Sequence, residues 1–426
     1  MLNKRIIYCM LLGLLLMATN TFAQNRIISP YSRFGIGELQ NNNFTRQMAM
    51  GGVKYAIRAN DLINFYNPAS YSAFDTTTFV FETGVLSTFE QLKTSEITKK
   101  YNYTNLNYLV FGMPITKWWG FSFGLIPFSS TGYNISYVDN NVNFGKIKYI
   151  YEGSGGINQF YLGNAFRYKD FSFGFNAAYM FGTIDKIRQM YFPDSTIKYY
   201  GTNIHNALHI NDFYLNYGLQ YTYKINKEKR IGIGLVVSNT TNIKANQDDL
   251  TRNFAGTPDQ YYFMDTITSS NIKGNVTFPL KVGGGLTYEV VNKLLVAGDF
   301  EFQQWSNYSA FGVKDSLKNV IATSLGAQYT PQKFSSSTTS YLKRMTYRAG
   351  IRYSKSYLEI KNTQLDEFGV SFGFGFPLRK TRSTLNIAVE LGKRGTTNNQ
   401  LIQENYGKVT LGFSIFERWF IKNKLY

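Results

Sequence analysis

The sequence predicts an all-β protein, a transmembrane antiparallel β-barrel of about fourteen strands with an N-terminal plug inside its lumen. Three observations point there. Many segments alternate greasy and small-or-polar residues with period two over about ten residues or more, longer than the usual soluble strand of about five to six. The connections between them are short on one side and long or polar on the other. One stretch near the start, Arg46 to Phe74, resists reading as a strand, so it is a compact piece that fits inside the container built by the rest.

Residues 1–23 read as a secretory signal peptide. Lys4 and Arg5 precede an apolar run from Ile6 to Ala18, and Thr21-Phe22-Ala23 offers small residues for cleavage before Gln24. The run is about 13 residues, short of the roughly 20 that span a bilayer. Cys9, the only cysteine, lies within the run rather than at its end, so it is not placed for lipoprotein acylation, and no disulfide or cysteine metal site is expected downstream.

Without Lys4 and Arg5 the chain keeps 43 basic against 27 acidic residues, a net charge of +16. An exported chain meets no nucleic acid in its normal compartment, so anionic lipid headgroups or an acidic small ligand are the expected counterparts, unless the charge only solvates loops. Aromatics make up 17% of the chain, and no apolar run after residue 23 is long enough for a transmembrane helix. A membrane protein of this kind has to be a closed sheet, which satisfies its own backbone in lipid.

Residues 24–75 form the plug. The run Ala49-Met50-Gly51-Gly52 and the triplet Asn67-Pro68-Ala69 put small residues and a ring-locked backbone where a sheet would need ladder donors. Residues 76–426 form the barrel, with strands expected at 77–90, 101–114, 119–135, 157–168, 170–183, 206–224, 230–244, 274–289, 294–308, 318–330, 344–358, 368–378, 382–393 and 407–421. Their faces are assignable: Phe171, Phe173, Phe175, Ala177, Tyr179 and Phe181 oppose Ser172, Gly174, Asn176 and Ala178, and Phe368, Val370, Phe372, Phe374 and Phe376 oppose Gly369, Ser371, Gly373 and Gly375.

Alternation alone also suits a soluble β-sandwich. The connections separate the two. Tight ones (Ile115 to Trp118, Lys169, Ile225 to Lys229, Val290 to Lys293, Arg379 to Thr381) alternate with long or polar ones (91–100, 136–156, 184–205, 245–273, 309–317, 359–367, 394–406), and Pro331 to Lys343 alone breaks the rule. Bacterial outer-membrane barrels have this habit, with the short side periplasmic, and Trp118, Trp119, Trp419 and Phe420 sit where an aromatic girdle belongs.

The faces opposite the greasy ones line the lumen. They place Glu82, Lys281, Asp299, Glu301, Arg348, Arg352 and Glu390 inward, because a lipid-facing Arg or Lys at mid-membrane costs roughly 2 to 4 kcal/mol. These charges are expected to pair with one another and with the plug, holding Arg46 or Arg58, in preference to contacting a ligand directly.

Gly51-Gly52, Asn67-Pro68-Ala69, Gly153-Ser154-Gly155-Gly156 before Gly163-Asn164-Ala165, Phe278-Pro279-Leu280 before Gly283, Asp299 with Trp305-Ser306, and Tyr347-Arg348-Ala349-Gly350 together resemble the FadL/TodX family of outer-membrane transporters for hydrophobic compounds. The resemblance runs over nearly the whole chain after residue 23. It implies a fourteen-stranded barrel with an N-terminal hatch, the lipid and lipopolysaccharide of the outer membrane as surroundings, and a fatty-acid-like or aromatic ligand taken up passively. The charged lumen and basic, polar loops depart from that pattern, and related barrels serve secretion by binding protein partners, so this alternative stands beside transport.

Catalysis is not expected. The two histidines, His205 and His209, would lie about 13 Å apart on one face of a strand, too far for one metal ion, and only a rim Ser-His pair with Ser195 offers an enzyme reading. Gly283-Gly284-Gly285 has no phosphate-loop context and reads as a bend in a strand. No cofactor is expected. Pro127 falls inside the third strand and cannot donate to a ladder, so a local break is expected there. It is either a simple bulge or, as the resemblance implies, the opening through which a substrate leaves sideways into the membrane. Pro279 poses the same question in the eighth strand.

Overall fold

The computed structural model describes residues 27–40, 44–193, 199–257, 260–333, 340–378 and 382–418. The expected signal peptide with Cys9, Ser195, the turn at 379–381, and Trp419 and Phe420 lie outside the described residues. No helix among the described residues is long and apolar enough to cross a membrane.

The strands in order are β1 (Glu38–Leu39), β2 (Thr78–Lys93), β3 (Thr98–Pro114), β4 (Trp119–Ser130), β5 (Tyr133–Asn141), β6 (Gly145–Tyr168), β7 (Phe171–Tyr191), β8 (Gly201–Lys224), β9 (Lys229–Ser238), β10 (Thr241–Thr257), β11 (Gln260–Phe278), β12 (Lys281–Val290), β13 (Leu294–Gln303), β14 (Ser309–Ala310), β15 (Val313–Lys314), β16 (Val320–Tyr329), β17 (Thr346–Ile360), β18 (Thr363–Pro377), β19 (Thr384–Arg394) and β20 (Gln403–Arg418). Fourteen of them, β2, β3, β4, β6, β7, β8, β9, β12, β13, β16, β17, β18, β19 and β20, pair antiparallel with their ring neighbours. The ring closes through β2 and β20, from Thr78↔Arg418 to Lys93↔Gln403. Closure satisfies the backbone without an edge, which is what lipid demands.

The greasy faces point outward. Phe173 is 41% exposed, Leu235 51% and Phe372 53%, whereas Ser172, Asn176 and Ser371 on the opposite faces are buried. Tight turns hold one end, which we call the turn end. Lys169 and Asn292 adopt positive φ there, and Ile225 donates to the Lys229 carbonyl at 3.0 Å. Trp118 and Trp119 stack at this end, with ring centroids 6.3 Å apart.

At the other end, the hairpin end, the structure differs from expectation. The segments read as polar loops at 136–156, 184–205 and 245–273 are largely strand: β5 with the start of β6, the end of β7 with the start of β8, and β10 with β11. Tyr, Ile and Thr carry the strand propensity there, but with no lipid to face, the greasy alternation that marks the barrel strands is missing. The strands rise as a six-stranded open sheet in the order β5-β6-β7-β8-β10-β11. Gly283-Gly284-Gly285 is not a bend either. Its register runs unbroken against both β9 and β13, and a Cβ at Gly283 would collide with the ring of Tyr55. The glycines make room.

What they make room for is the N-terminal segment. From Phe44 to Phe74 most residues are buried, and the segment touches inward faces all round the ring. Pro68 lies on Gly174 of β7, Asn67 on Gly218 of β8, and Met50 on Gly350 of β17, where a Cβ would meet backbone or amide atoms. Above it, Tyr31 and Ile36 join Ile157, Met180, Val276, Trp305, Tyr357 and Leu401 in an apolar cluster that roofs the lumen at the hairpin end.

Candidate functional site

The inward charges assemble into networks. Around the segment's Lys54 and Tyr55, Glu301 accepts from Lys54 Nζ at 2.9 Å and from the Tyr55 hydroxyl, with Lys281 Nζ at 3.7 Å. Asp299 accepts from the backbone N–H of Lys54 at 2.5 Å and of Tyr55 at 3.0 Å. A second network centres on Arg352, which reaches Glu390 at 2.9 Å, Glu367 at 2.5 Å and the Tyr406 hydroxyl at 2.7 Å. Glu82 accepts from Ile63 N–H at 2.9 Å. Among the described residues Arg348 meets only amide oxygens, donating to Gln328 at 2.8 Å and Asn386 at 3.0 Å.

Arg46 and Arg58 are held differently from expectation. Arg46 pairs with Asp61 of its own segment at 3.0 Å, and Arg58 donates to the Ala69 carbonyl, Ser72 and Gln220. Gly51 and Gly52 both need positive φ, 70° and 82°, which a glycine adopts without strain. Gly51 N–H donates to Ser371 at 2.8 Å. Asn67 caps the short helical turn Pro68–Ala73 by accepting from Ala69 N–H at 3.2 Å, and its amide nitrogen donates to the carbonyls of Tyr55 and Leu219.

A third network had no signal in the sequence. Arg394 donates to Glu404 at 2.6 Å, Glu38 at 2.7 Å and Ser29 at 2.8 Å, and Ser29 donates on to Glu404. Glu38 and Ser29 come from the N-terminal segment, which has no period-two run from which to assign a face. A cavity of about 140 Å³ between this network and the Arg352 and Glu301 networks is lined by Glu38, Lys54, Glu367, Glu390 and Lys408. Met48, Leu86, Val320 and Leu358 complete the lining, so charged and apolar side chains share it.

At Pro127 the wall parts. The β3–β4 ladder runs only from Leu109↔Leu125 to Pro114↔Gly120, and β4 shifts register against β6 between Pro127 and Ser129. Beyond that point β4 bends inward, and β1 of the N-terminal segment pairs with it instead, Glu38↔Ser130 and Leu39↔Ser129. Beside the gap a small apolar cavity of about 70 Å³ is lined by Phe65, Tyr66, Phe128, Tyr214, Phe278 and Trp305, with Phe128 and Phe278 stacked at 5.4 Å. Pro279 falls between β11 and β12, where the chain passes from the open sheet into the ring.

The open sheet ends in an edge. Every residue of β11 pairs with β10 or sits in a bulge against it, but on its other side only Val276 and Thr277 find a strand partner, β14. From Gln260 to Gly274 no further strand lies on that side among the described residues. Two bulges add Met264 and Ile267, which are 47% and 58% exposed beside Tyr262 at 66%. His205 and His209 lie in the same sheet and face separate carboxylates, Asp185 at 2.9 Å and Asp248 at 3.1 Å. Among the described residues no group of three potential ligands could hold a metal ion.

Known structures share this architecture. The CymD monoaromatic hydrocarbon channel is similar at 12% identity, covering 90% of this chain and 98% of that one, with a TM-score of 0.56. The toluene transporter TodX of Pseudomonas putida is similar at 15% identity over 91% and 100% of the two chains, TM-score 0.56. A Pseudomonas aeruginosa FadL homologue follows at 10% identity over 88% and 98%, TM-score 0.55. At such identities the likeness is one of fold. No curated protein matches the sequence. The family model BamG matches residues 1–426, and the barrel is of the FadL/TodX type that the motifs resemble.

Proposed function

Starting from the fact that this chain belongs to the BamG family, we propose that it is an outer-membrane barrel whose task is to dock a protein partner on the sheet rising from its hairpin end. The observation that carries this reading is the second side of β11, open from Gln260 to Gly274. At about 3.3 Å per residue this is an edge of roughly 50 Å, set beside exposed Tyr262, Met264 and Ile267. An open edge of this length is a template for strand addition, which natural proteins blunt or cover unless it is used. The two bulges twist the strand near its tip, so the ladder available to a partner is the straight part from Thr268 to Gly274, with the bulged apolar side chains as its anchor. A lumen roofed by apolar side chains and crossed by ion-pair networks fits a docking protein better than a conduit.

The test is purification from native membranes in mild detergent, comparing the intact chain with Met264→Lys/Ile267→Lys. A stoichiometric partner that accompanies the intact chain and is lost from the variant, with the variant still folded, supports docking. A partner retained by the variant refutes it.

One observation favours passage of a small apolar molecule as a second reading. The gap beside Pro127 opens next to the aromatic cavity, and an apolar ligand leaving there would enter lipid directly and avoid the aqueous periplasm. The cavity's 70 Å³ is smaller than the roughly 150 Å³ that accepts benzene in an engineered core, so the N-terminal segment has to move before such a ligand fits. Liposome uptake of a labelled fatty acid or aromatic hydrocarbon is the measurement for this reading, and no uptake above protein-free vesicles removes it.

A further inference from the structure

Two cavities of about 790 and 500 Å³ share residues of the N-terminal segment and together hollow out the mouth at the turn end. Both are of the size of ordinary ligand sites. The mouth is strongly basic, and the acids that line it are largely spoken for. Asp61 pairs with Arg46 at 3.0 Å, Asp170 with Lys224 at 2.7 Å and Asp75 with Arg382 at 3.7 Å, while Glu289 faces Arg230. Among the described residues, Arg58, Arg167, Lys293, Arg344 and Arg348 make no ion pair.

Among the described residues these arginines have neutral partners only. Arg58 donates to a carbonyl, a hydroxyl and an amide oxygen, and Arg167 to the Lys117 carbonyl at 2.9 Å. Arg344 Nε is buried with no acceptor. Arg348 is 5% exposed and has two amide oxygens, with Glu82 nearby but occupied by Ile63 N–H. Desolvating a guanidinium without a countercharge is costly, and an arriving anion would offset that cost. Burial, with help from Arg167, pulls the Arg58 guanidinium down to about 10, the direction expected of a cation lacking its counterion.

We infer that the turn-end mouth is a binding site for an acidic peptide segment, several carboxylates of which would be received by Arg58, Arg344, Arg348 and Lys293. All four line the 500 Å³ cavity but come from separate elements, Arg58 from the N-terminal segment, Lys293 from the turn after β12, Arg344 from the connection before β17 and Arg348 from β17 itself, so they match a chain of charges better than one compact anion. This site is at the opposite end from the β11 edge and stands or falls independently of the docking reading.

The experiment measures fluorescence anisotropy of a labelled ten-residue poly-Glu peptide on the detergent-solubilised full chain, with poly-Gln and inorganic phosphate as comparators. Poly-Glu is expected to bind, poly-Gln not, and affinity should fall as salt is raised. Arg344→Gln and Lys293→Gln should each weaken binding roughly tenfold, the factor that corresponds to about 1.4 kcal/mol. Lys99→Gln/Lys100→Gln at the hairpin end should leave it unchanged. Lys293 is exposed, so its variant tests the site even if Arg344→Gln impairs folding. Equal loss in the Lys99/Lys100 variant, binding of poly-Gln, or displacement of the peptide by millimolar phosphate would each overturn the proposal.

Discussion

Arg352 shows how single residues fix the interior. Its guanidinium satisfies Glu390 and Glu367 together, so removing it leaves two largely buried carboxylates without their cation. Breaking such a buried pair costs about 3 to 5 kcal/mol, whereas replacing the whole group by apolar residues of similar size is often neutral or better. Arg352→Met should therefore lower the temperature at which the barrel loses its heat-modifiable gel mobility, and Arg352→Met/Glu367→Leu/Glu390→Leu should recover much of the loss. A single variant as heat-resistant as the parent would remove this network from the stability account. Period two alone assigned Arg352, Glu390, Glu301 and Asp299 to the lumen, because on a strand the face follows from parity. Parity does not say which inward charge meets which. That Lys54 would serve Glu301, or Glu38 join Arg394, depends on where an irregular segment lies inside the ring, and no period describes that segment.

Elements were legible to the extent that lipid shaped them. The fourteen ring strands show themselves because one face of each must be greasy, whereas β10 and β11, outside the ring, have no greasy face and their sequence has the pattern of a polar loop. Pro127 is the exception that sequence chemistry exposes directly, since a residue without an N–H cannot hold a ladder position. The structure puts a register shift there and ends the β3–β4 ladder just before it. Cysteines paired across β3 and β4 beyond Leu109↔Leu125, with Cys9 the only native cysteine, give a reversible lock. If small apolar molecules use the gap, oxidation should stop liposome uptake and reduction restore it. Uptake unchanged in a fully cross-linked sample would exclude the lateral path.

For the molecule as a whole, the account is a closed barrel, roofed at the hairpin end and filled by its own N-terminal segment. Deleting residues 30–70 removes most of the filling while leaving the β2–β20 closure intact, so it should raise single-channel conductance in planar bilayers without abolishing assembly. Equal conductance of the deleted and intact proteins would mean that the segment does not close the lumen. The alternation of long and short connections makes this architecture readable, but the open sheet edge is not, because it leaves no periodic trace in one chain.

Docking on the β11 edge is tested by site-specific photocrosslinking in native membranes, with the photoreactive residue placed at Met264, Ile267 or Ser269 on that edge and, for comparison, at Leu286 on the outward face of β12. Leu286 is 59% exposed and belongs to the lipid-facing surface. The account predicts one discrete protein adduct shared by the three edge positions and absent from Leu286. Adducts at Leu286 matching those at the edge, or no protein adduct at any edge position, would contradict it.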